Sequence, residues 1–157
     1  MSLVRERERL HALTRADVAA HVRAGWMNRD IVRRLGVAPA VVTAVREQLG
    51  APANSAHGFR PSSLEDAFWG QVRHIPDGHL LWLGGLDPDG GPCFQHGPHV
   101  YAARRVAYQL GHRRDPDGPA TPACGHDRCV EPHHLVDQPQ RRYLVSVLTA
   151  LFGDTRS

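Results

Sequence analysis

Lysine is absent from this chain of 157 residues, and all 19 of its basic residues are arginine. A GC-rich genome, which favours arginine, alanine, glycine and proline codons, is the simplest explanation. Arginine also suits partners that carry phosphate or guanine, because its planar guanidinium group donates two parallel hydrogen bonds. The missing lysine is therefore compatible with a nucleic-acid partner but does not require one.

Cysteines and long apolar runs are also scarce. Three cysteines, an odd number, do not make a disulfide framework; they favour metal binding or reduced thiols, and hence a cytoplasmic protein. No apolar run is long enough to cross a membrane, and the first ten residues are charged, so we expect a soluble, unexported protein with no membrane partner. Because only 41% of residues are apolar, two modest cores are expected rather than one large core. One of them is expected to need an additional cross-link, such as a structural metal ion.

Charge is distributed unevenly along the chain. Residues 1–50 carry nine arginines against five acidic residues, whereas residues 63–140 carry six arginines against ten acidic residues. Attraction to phosphate is the main nonspecific contribution to DNA affinity. The first segment is therefore the better candidate for a primary contact with nucleic acid, and the middle segment is not an obvious one.

Apolar spacing predicts several helices in the first 50 residues. Residues 3–13 fit a short solvated helix, and Thr14 and Asp17 are placed to cap a second helix that ends near Ala24. Asn28 is suited to cap the next helix. These residues therefore predict a helical N-terminal segment.

A glycine turn separates the last two predicted helices. Gly36 permits a tight turn after Leu35, and Pro39 can open the following helix at its first position. The segment IVRRLGVAPAVVTAVREQLG resembles the helix-turn-helix family, and the resemblance extends over residues 14–50. It implies that residues 1–50 form a DNA-binding domain; an ordinary pair of antiparallel helices is the alternative.

The third helix would be the recognition helix of such a domain. Its exposed positions are mostly alanine, and only Thr43 and Arg46 are suited to read base edges. We therefore expect phosphate contacts from Arg29, Arg33, Arg34 and Arg46, with modest base readout centred on Thr43. Docking on a protein is the competing use of this helix.

Residues 51–62 are rich in proline, alanine and serine and lack periodicity, which predicts a linker. The remainder mixes helical and β-prone segments, so the chain is predicted to be α+β, with a second domain over residues 63–157. The predicted elements are a helix over 63–72, strands over 79–86 and 92–101 forming a hairpin around Asp87-Pro88-Asp89-Gly90-Gly91, and helices over 102–110 and 141–152.

The segment ACGHDRCVEPHHL carries the clearest chemistry. Cys124, Cys129 and His134 follow one another at regular short spacing, and two thiolates and an imidazole of this kind can close on one tetrahedral Zn²⁺. Zinc in such a polar segment is also a folding requirement. The spacing leaves the fourth ligand open, with His79, Cys93, His126 and His133 as the available side chains.

Residues 75–145 resemble the HNH, or His-Cys box (ββα-metal), endonucleases. That family has a segment D-G-C-W-x-W-x-G, a hairpin, a helix A-H-R-V-A-Y-x-L and then H-x-C-x4-C-x2-P-x-H-L. The corresponding segments here are DGHLLWLG at 77–84, ARRVAYQL at 103–110 and CGHDRCVEPHHL at 124–135. The resemblance implies a zinc-stapled ββα-metal domain with a C-terminal helix. It makes Cys124, Cys129 and His134 zinc ligands, with His79 fourth in place of the family's first cysteine.

The same resemblance indicates lost catalysis. The family's general base falls at Pro122, and its metal-ligating asparagine falls at Tyr143. Proline has no basic side chain, and a neutral tyrosine is a poor Mg²⁺ ligand. We therefore expect no catalytic residues, unless His126, His133 or His112 replaces the missing base.

The sequence as a whole predicts a DNA-binding regulator or mobile-element accessory factor with a structural zinc ion and an inactive HNH-like domain. Homodimerisation is expected to be compatible with this function, because a lone helix-turn-helix reads few base pairs. The alternatives are an active endonuclease with a relocated base and a zinc-stabilised adaptor for a protein partner. Residues of the second domain expected to contact DNA are Arg104, Arg105, Arg141 and Arg142.

Overall fold

The structure, a computed structural model, describes residues 2–51 and 63–153. These residues form six α-helices and three two-stranded antiparallel sheets, which confirms the predicted α+β class. The helices are α1 (Leu3–Arg23), α2 (Asn28–Leu35), α3 (Pro39–Gln48), α4 (Leu64–Trp69), α5 (Ala103–His112) and α6 (Gln138–Phe152). The strands are β1 (Val72–His74), β2 (Leu80–Trp82), β3 (Cys93–His96), β4 (His99–Ala102), β5 (Thr121–Pro122) and β6 (Leu135–Val136), and a 3₁₀ turn covers Pro132–His134.

The first helix is continuous where two helices were expected. Ser2 caps α1 by accepting a hydrogen bond from the backbone N–H of Val4, and the helix then runs to Arg23. The Thr14 hydroxyl donates to the carbonyl of Leu10, four residues earlier, at 2.8 Å. A threonine that bonds backwards in this way does not cap a new helix. The predicted helix start at Thr14 is therefore wrong.

The turn between α2 and α3 has the predicted conformation. Gly36 lies in the left-handed region with φ of 64°, which glycine adopts without steric cost, and Pro39 stands in the first turn of α3. The predicted cap of α2 is wrong by one residue. Met27 occupies the cap position, and the side-chain oxygen of Asn28 instead accepts a hydrogen bond from Nε of Arg46 at 2.8 Å.

Two apolar cores lie on either side of residues 52–62. The helical core belongs to α1, α2 and α3, and the sheet core gathers buried side chains from α4 to β6. Most of the predicted linker lies outside the described residues. Within the described ranges, no helix combines the length and apolar character needed to span a bilayer. The helical core contains Val18, Val22, Ile31, Leu35, Val42 and Val45, and the largest side chains of the sheet core are Trp82, Tyr108, Phe68 and Phe94.

The predicted hairpin between residues 79–86 and 92–101 is wrong in its pairing. β2 pairs with β1, whose first residue, Val72, was expected to end a helix, and β3 pairs with β4, most of which lies inside the second segment. The turn at Asp87 is present, since its N–H donates to the carbonyl of Gly91 at 2.7 Å. Leu86 and Pro92 form one bridge next to this turn, and the two strands then separate.

Hydrogen bonds connect the helical part to the part after residue 62. The indole N–H of Trp26 donates to the carbonyl of Gly70 at 2.8 Å, and Arg34 donates to Oε1 of Gln71 at 2.8 Å. A side chain at Gly70 would collide with Ala24, because a Cβ there would lie 2.1 Å from the Ala24 Cβ. Glycine at this position is what allows the two parts to approach so closely.

Candidate metal centre

Four side chains meet at one point of the second part of the chain. His79, Cys124, Cys129 and His134 each direct one ligand atom into this cluster, and these atoms all lie within 4.8 Å of one another. Zn²⁺ bonds of about 2.0–2.3 Å to nitrogen and sulfur, arranged as a tetrahedron, place the ligand atoms roughly 3.3–3.8 Å apart. A small closure of the cluster therefore suffices for one ion.

Strand β2 brings His79 to the loop that carries the two cysteines. A turn over residues 75–79 precedes it, in which the N–H of Ile75 donates to the carbonyl of His79 at 3.1 Å. The following strand then bonds to the loop: the N–H of Trp82 donates to the carbonyl of Arg128 at 2.9 Å. The N–H of Val130 returns a bond to the carbonyl of Leu80 at 2.8 Å.

The other three ligands lie between β5 and β6. A turn returns the chain between the cysteines, with the N–H of Cys129 donating to the carbonyl of His126 at 3.1 Å. The 3₁₀ turn ends at His134, whose carbonyl accepts from the N–H of Ala123 at 2.8 Å. Sγ of Cys129 and Nδ1 of His134 are consequently 3.5 Å apart. These backbone bonds hold the ends of the loop together.

The environment of the cluster fits a metal ion. Cys129 is buried, and this burial raises the pKa of its thiol and disfavours the thiolate, while backbone hydrogen bonds from Glu131 and Leu80 act in the opposite direction. A bound cation would offset this cost of burial. Nδ1 of His79 is buried and has no hydrogen-bond partner in the described part of the chain. A buried nitrogen of this kind costs free energy unless something binds it. Two sulfur and two nitrogen atoms are ligands that favour zinc.

His126, one of the side chains that the spacing left open as the fourth ligand, lies beside the cluster. Its ring centroid lies 5.1 Å from that of His79, and its buried Nδ1 also has no partner among the described residues. It is not one of the four clustered ligands. Its position between the two cysteines was the available signal, but the contact with His79 depends on the pairing of β2 with the loop.

Cys93, the alternative fourth ligand, lies in β3 opposite Ala102 and outside the cluster. The structure also describes the two positions at which the resemblance led us to expect catalytic groups. Pro122 is in β5, paired with Leu135 of β6, and Tyr143 is an exposed residue of α6. Neither side chain supplies a base or a carboxamide ligand.

The four arginines expected to contact phosphate fall into two pairs. Arg29 and Arg33 have side chains that are 80% exposed and lie beside Asp30. Arg34 instead stacks on Trp26, with its Cζ 3.9 Å from the ring centroid, and burial lowers its pKa. Arg46 donates to the carbonyl of Trp26 at 2.9 Å as well as to Asn28.

The arginines of the second part divide in the same way. Arg105 and Arg142 are exposed. Arg104 donates to the carbonyl of Asp127. Arg141 donates to the carbonyl of Pro119 at 2.9 Å and to the Thr121 hydroxyl at 2.7 Å. Thr43, the predicted base-reading residue, is exposed on α3, and its hydroxyl donates to the carbonyl of Pro39 at 3.2 Å.

No family model, curated protein or solved structure matches the chain. Function has to be inferred from the chain's own residues and their geometry. The two features available for that inference are the Cys₂His₂ cluster and the exposed faces of α2 and α3.

Proposed function

We propose that this protein binds double-stranded DNA through α2 and α3, and that a structural zinc ion staples the part after residue 62 into a supporting scaffold. His79, Cys124, Cys129 and His134 would hold the ion. When bound, zinc supplies a cross-link between β2 and the cysteine loop, with no coordination position left for a substrate. The proposed role is that of a regulator or mobile-element accessory factor without its own catalysis.

The observation that carries the proposal is the geometry of α2, the Gly36 turn and α3. Both helices pack their apolar sides into one small core with α1, and α3 keeps Ala40, Thr43 and Glu47 exposed along one side. A helix held this way by two others is suited to enter the major groove, which is wide enough to admit an α-helix. The short side chains of Ala40 and Thr43 permit close approach to the bases, whereas the acidic Glu47 would have to stay away from the phosphates.

Electrostatics support the same surface. Arg29 and Arg33 lie on α2 with free access to solvent, where a surface contact with Asp30 costs little to exchange for a phosphate. Arg34 and Arg46 are better explained as positioning residues, because each bonds to Trp26 or to the residues beside it. We therefore propose Arg29 and Arg33 as the phosphate contacts of this surface.

The second part supports the HNH resemblance in its order of elements. β5, the cysteine loop, β6 and α6 follow one another, and β5 pairs antiparallel with β6 before the helix begins. This order of elements beside the four clustered side chains is compatible with the ββα-metal domain that we propose. Pro122 and Tyr143 occupy positions that would need a base and a Mg²⁺ ligand, so we propose a degenerate domain that does not cut DNA.

One experiment tests binding and cleavage together. The zinc-loaded full chain is incubated at low salt with linear genomic fragments and with supercoiled plasmid, with and without Mg²⁺, and run on a gel. We expect retarded fragments in both conditions and plasmid that stays supercoiled. Failure to retard any fragment at low salt would favour the adaptor instead. Nicking that disappears in His126→Ala or His133→Ala would establish an endonuclease with a relocated base.

A further inference from the structure

The last helix is attached to the protein by its first turn. The Asp137 side chain accepts from the N–H of Gln140, and the Gln140 side chain accepts from the N–H of Asp137, at 3.1 and 2.9 Å. Tyr108 and Arg141 add further bonds, from the tyrosine hydroxyl to Gln140 and from the guanidinium to Pro119. Asp137 itself is buried and pairs with Arg114 at 2.9 Å. The start of α6 is therefore rigidly placed.

Beyond this first turn, α6 is apolar and uncovered. Residues 143–152 contain no charged side chain, and within the described ranges no residue of α6 is buried. Tyr143, Leu148, Leu151 and Phe152 are 68%, 55%, 69% and 75% exposed. A large exposed apolar patch on a protein marks a surface that another molecule covers.

The exposed side chains follow the period of a helix. At about 100° per residue, Leu144, Val147, Leu148 and Leu151 centre one wide arc. Arg142, Ser146 and Thr149 lie on the opposite side. The helix is thus amphipathic, with an apolar face that needs a partner and a polar face that does not.

A groove lies beside the anchored half of the same helix. Val136, Pro139, Gln140, Tyr143 and Leu144 line it, and its volume is about 400 Å³. It sits at one end of the apolar face, whereas Leu151 and Phe152 project from the other end. One helix therefore carries both an apolar groove and the apolar side chains that fit such a groove.

We propose that α6 pairs antiparallel with α6 of a second copy of this chain. A two-fold axis near Val147 and Leu148 places Leu144 of each copy opposite Leu151 of the other. Leu151 of one copy then lies over the groove of its partner. Such an arrangement closes on itself, because a two-fold axis brings the same patch of both copies together.

Two features of α6 favour a second copy over a different protein. Groove and projecting side chains occupy opposite ends of one helix, so an antiparallel copy satisfies both at once. Side chains of this size and exposure contribute several hundred Å² per chain, which for two copies approaches the roughly 1,200 Å² at which stable interfaces begin.

The test is the molar mass of the full chain in solution. Light scattering after size exclusion at about 50 μM, well above a Kd of about 1 μM, should give twice the chain mass of 17.4 kDa. Leu148→Asp should weaken association by about 100-fold or more, so at the same concentration its average mass should fall well below that of the dimer. Thr149→Asp adds the same charge on the polar face and should remain dimeric. Equal zinc content and circular dichroism in both variants would show that they fold.

Orientation is tested by disulfide trapping in a Cys93→Ser background. Leu144→Cys mixed with Leu151→Cys should cross-link, and either variant alone should not. A wild-type chain that stays monomeric at this concentration overturns the proposal, as does a dimer that Leu148→Asp leaves intact. Monomeric wild type that binds anionic lipid vesicles, with binding lost in Leu148→Asp, would assign the face to a lipid surface. The dimer proposal is independent of DNA binding, so either can fail alone.

Discussion

At the scale of single residues, the candidate metal centre consists of four ligand atoms, one each from His79, Cys124, Cys129 and His134. Around them, strands β5 and β6 have only two residues each, and the loop between them is held mainly by backbone turns. Structural zinc in small domains contributes about 10–16 kcal/mol of apparent binding free energy. If the cluster binds zinc as proposed, folding of the cysteine loop should depend on the ion.

We predict one zinc ion per chain. Cys129→Ser and His79→Ala should each remove most of the zinc and lower the melting temperature, because each deletes one of four ligands. Cys93→Ser is the matched control and should keep full zinc content, since Cys93 lies outside the cluster. Elemental analysis of the purified full-length variants measures this directly. Zinc loss in Cys93→Ser with retention in His79→Ala would reverse the assignment of the fourth ligand.

Part of this centre was predictable from residues alone. The spacing of Cys124, Cys129 and His134 indicates three ligands, because each is separated by four residues and all lie in one polar loop. His79 lies 45 positions before Cys124, and only the resemblance to a known family selected it. The proximity of His126 to His79 could not be predicted, since it results from the pairing of β2 with the cysteine loop.

At the scale of elements, α1 and β1 are joined by a side-chain contact that the helical pattern of the sequence did not predict. Asp17 was predicted to cap a helix, but it is buried inside α1 and accepts two hydrogen bonds from His74. The backbone N–H and Nδ1 of His74 each donate at 2.7 Å. Asp17 therefore joins the helical part to the sheet part through a partly buried ion pair.

This pair predicts a pH-dependent stability. The hydrogen bond to the Asp17 carboxylate raises the pKa of His74 above its ordinary value. A raised pKa means that the stabilisation is fully present below the unfolded value near 6.5 and is lost as pH rises through the folded value. His74→Asn keeps a donor but cannot carry charge. We expect wild type to be more stable than this variant by on the order of 1–2 kcal/mol near pH 6, and the difference to shrink as pH rises.

Urea unfolding of zinc-saturated wild type and His74→Asn over this pH range measures the difference. Comparison with the variant removes the effect of protons that compete for the zinc ligands, since both proteins carry the same cluster. A stability difference that does not change with pH would contradict the assignment of a charged His74 to this contact.

Turn and helix-start residues predicted where elements lie better than they predicted which elements pair with one another. Gly36 and Pro39 located the α2–α3 turn, because a left-handed glycine and a helix-opening proline act within a few residues. The break expected at Thr14 is missing, since its hydroxyl bonds backwards along α1. The β1–β2 pairing was missed for a related reason: strands of three residues carry too little alternation to show which segment they join.

At the scale of the whole molecule, two cores are joined by specific contacts. Leu83, from the segment after β2, packs against the helical core, and the Trp26 indole bonds to Gly70 across the same junction. Arg34 lies at this junction, stacked on Trp26 and bonded to Gln71. Loss of zinc should therefore change the position of α2 and α3 relative to the sheet part, as well as the structure of the cysteine loop.

The proposed DNA surface predicts how strongly the DNA affinity of the whole chain depends on salt. Each phosphate contact that is made releases about 0.9 counterions, so removing two exposed arginines should lower the log–log salt slope of DNA affinity by about 2 per chain. Arg29→Ala with Arg33→Ala makes this change without touching the residues that position α2. Arg128→Ala removes an exposed arginine from the cysteine loop and serves as the control.

DNA binding through α2 and α3 can be measured by fluorescence anisotropy of a labelled duplex, titrated with the zinc-loaded full chain at several salt concentrations. Wild type and Arg128→Ala should bind with the same affinity and the same salt slope. The Arg29→Ala, Arg33→Ala double variant should bind all duplex sequences more weakly and with a shallower slope. If the double variant matches wild type in both affinity and slope, α2 and α3 are not the surface that holds DNA.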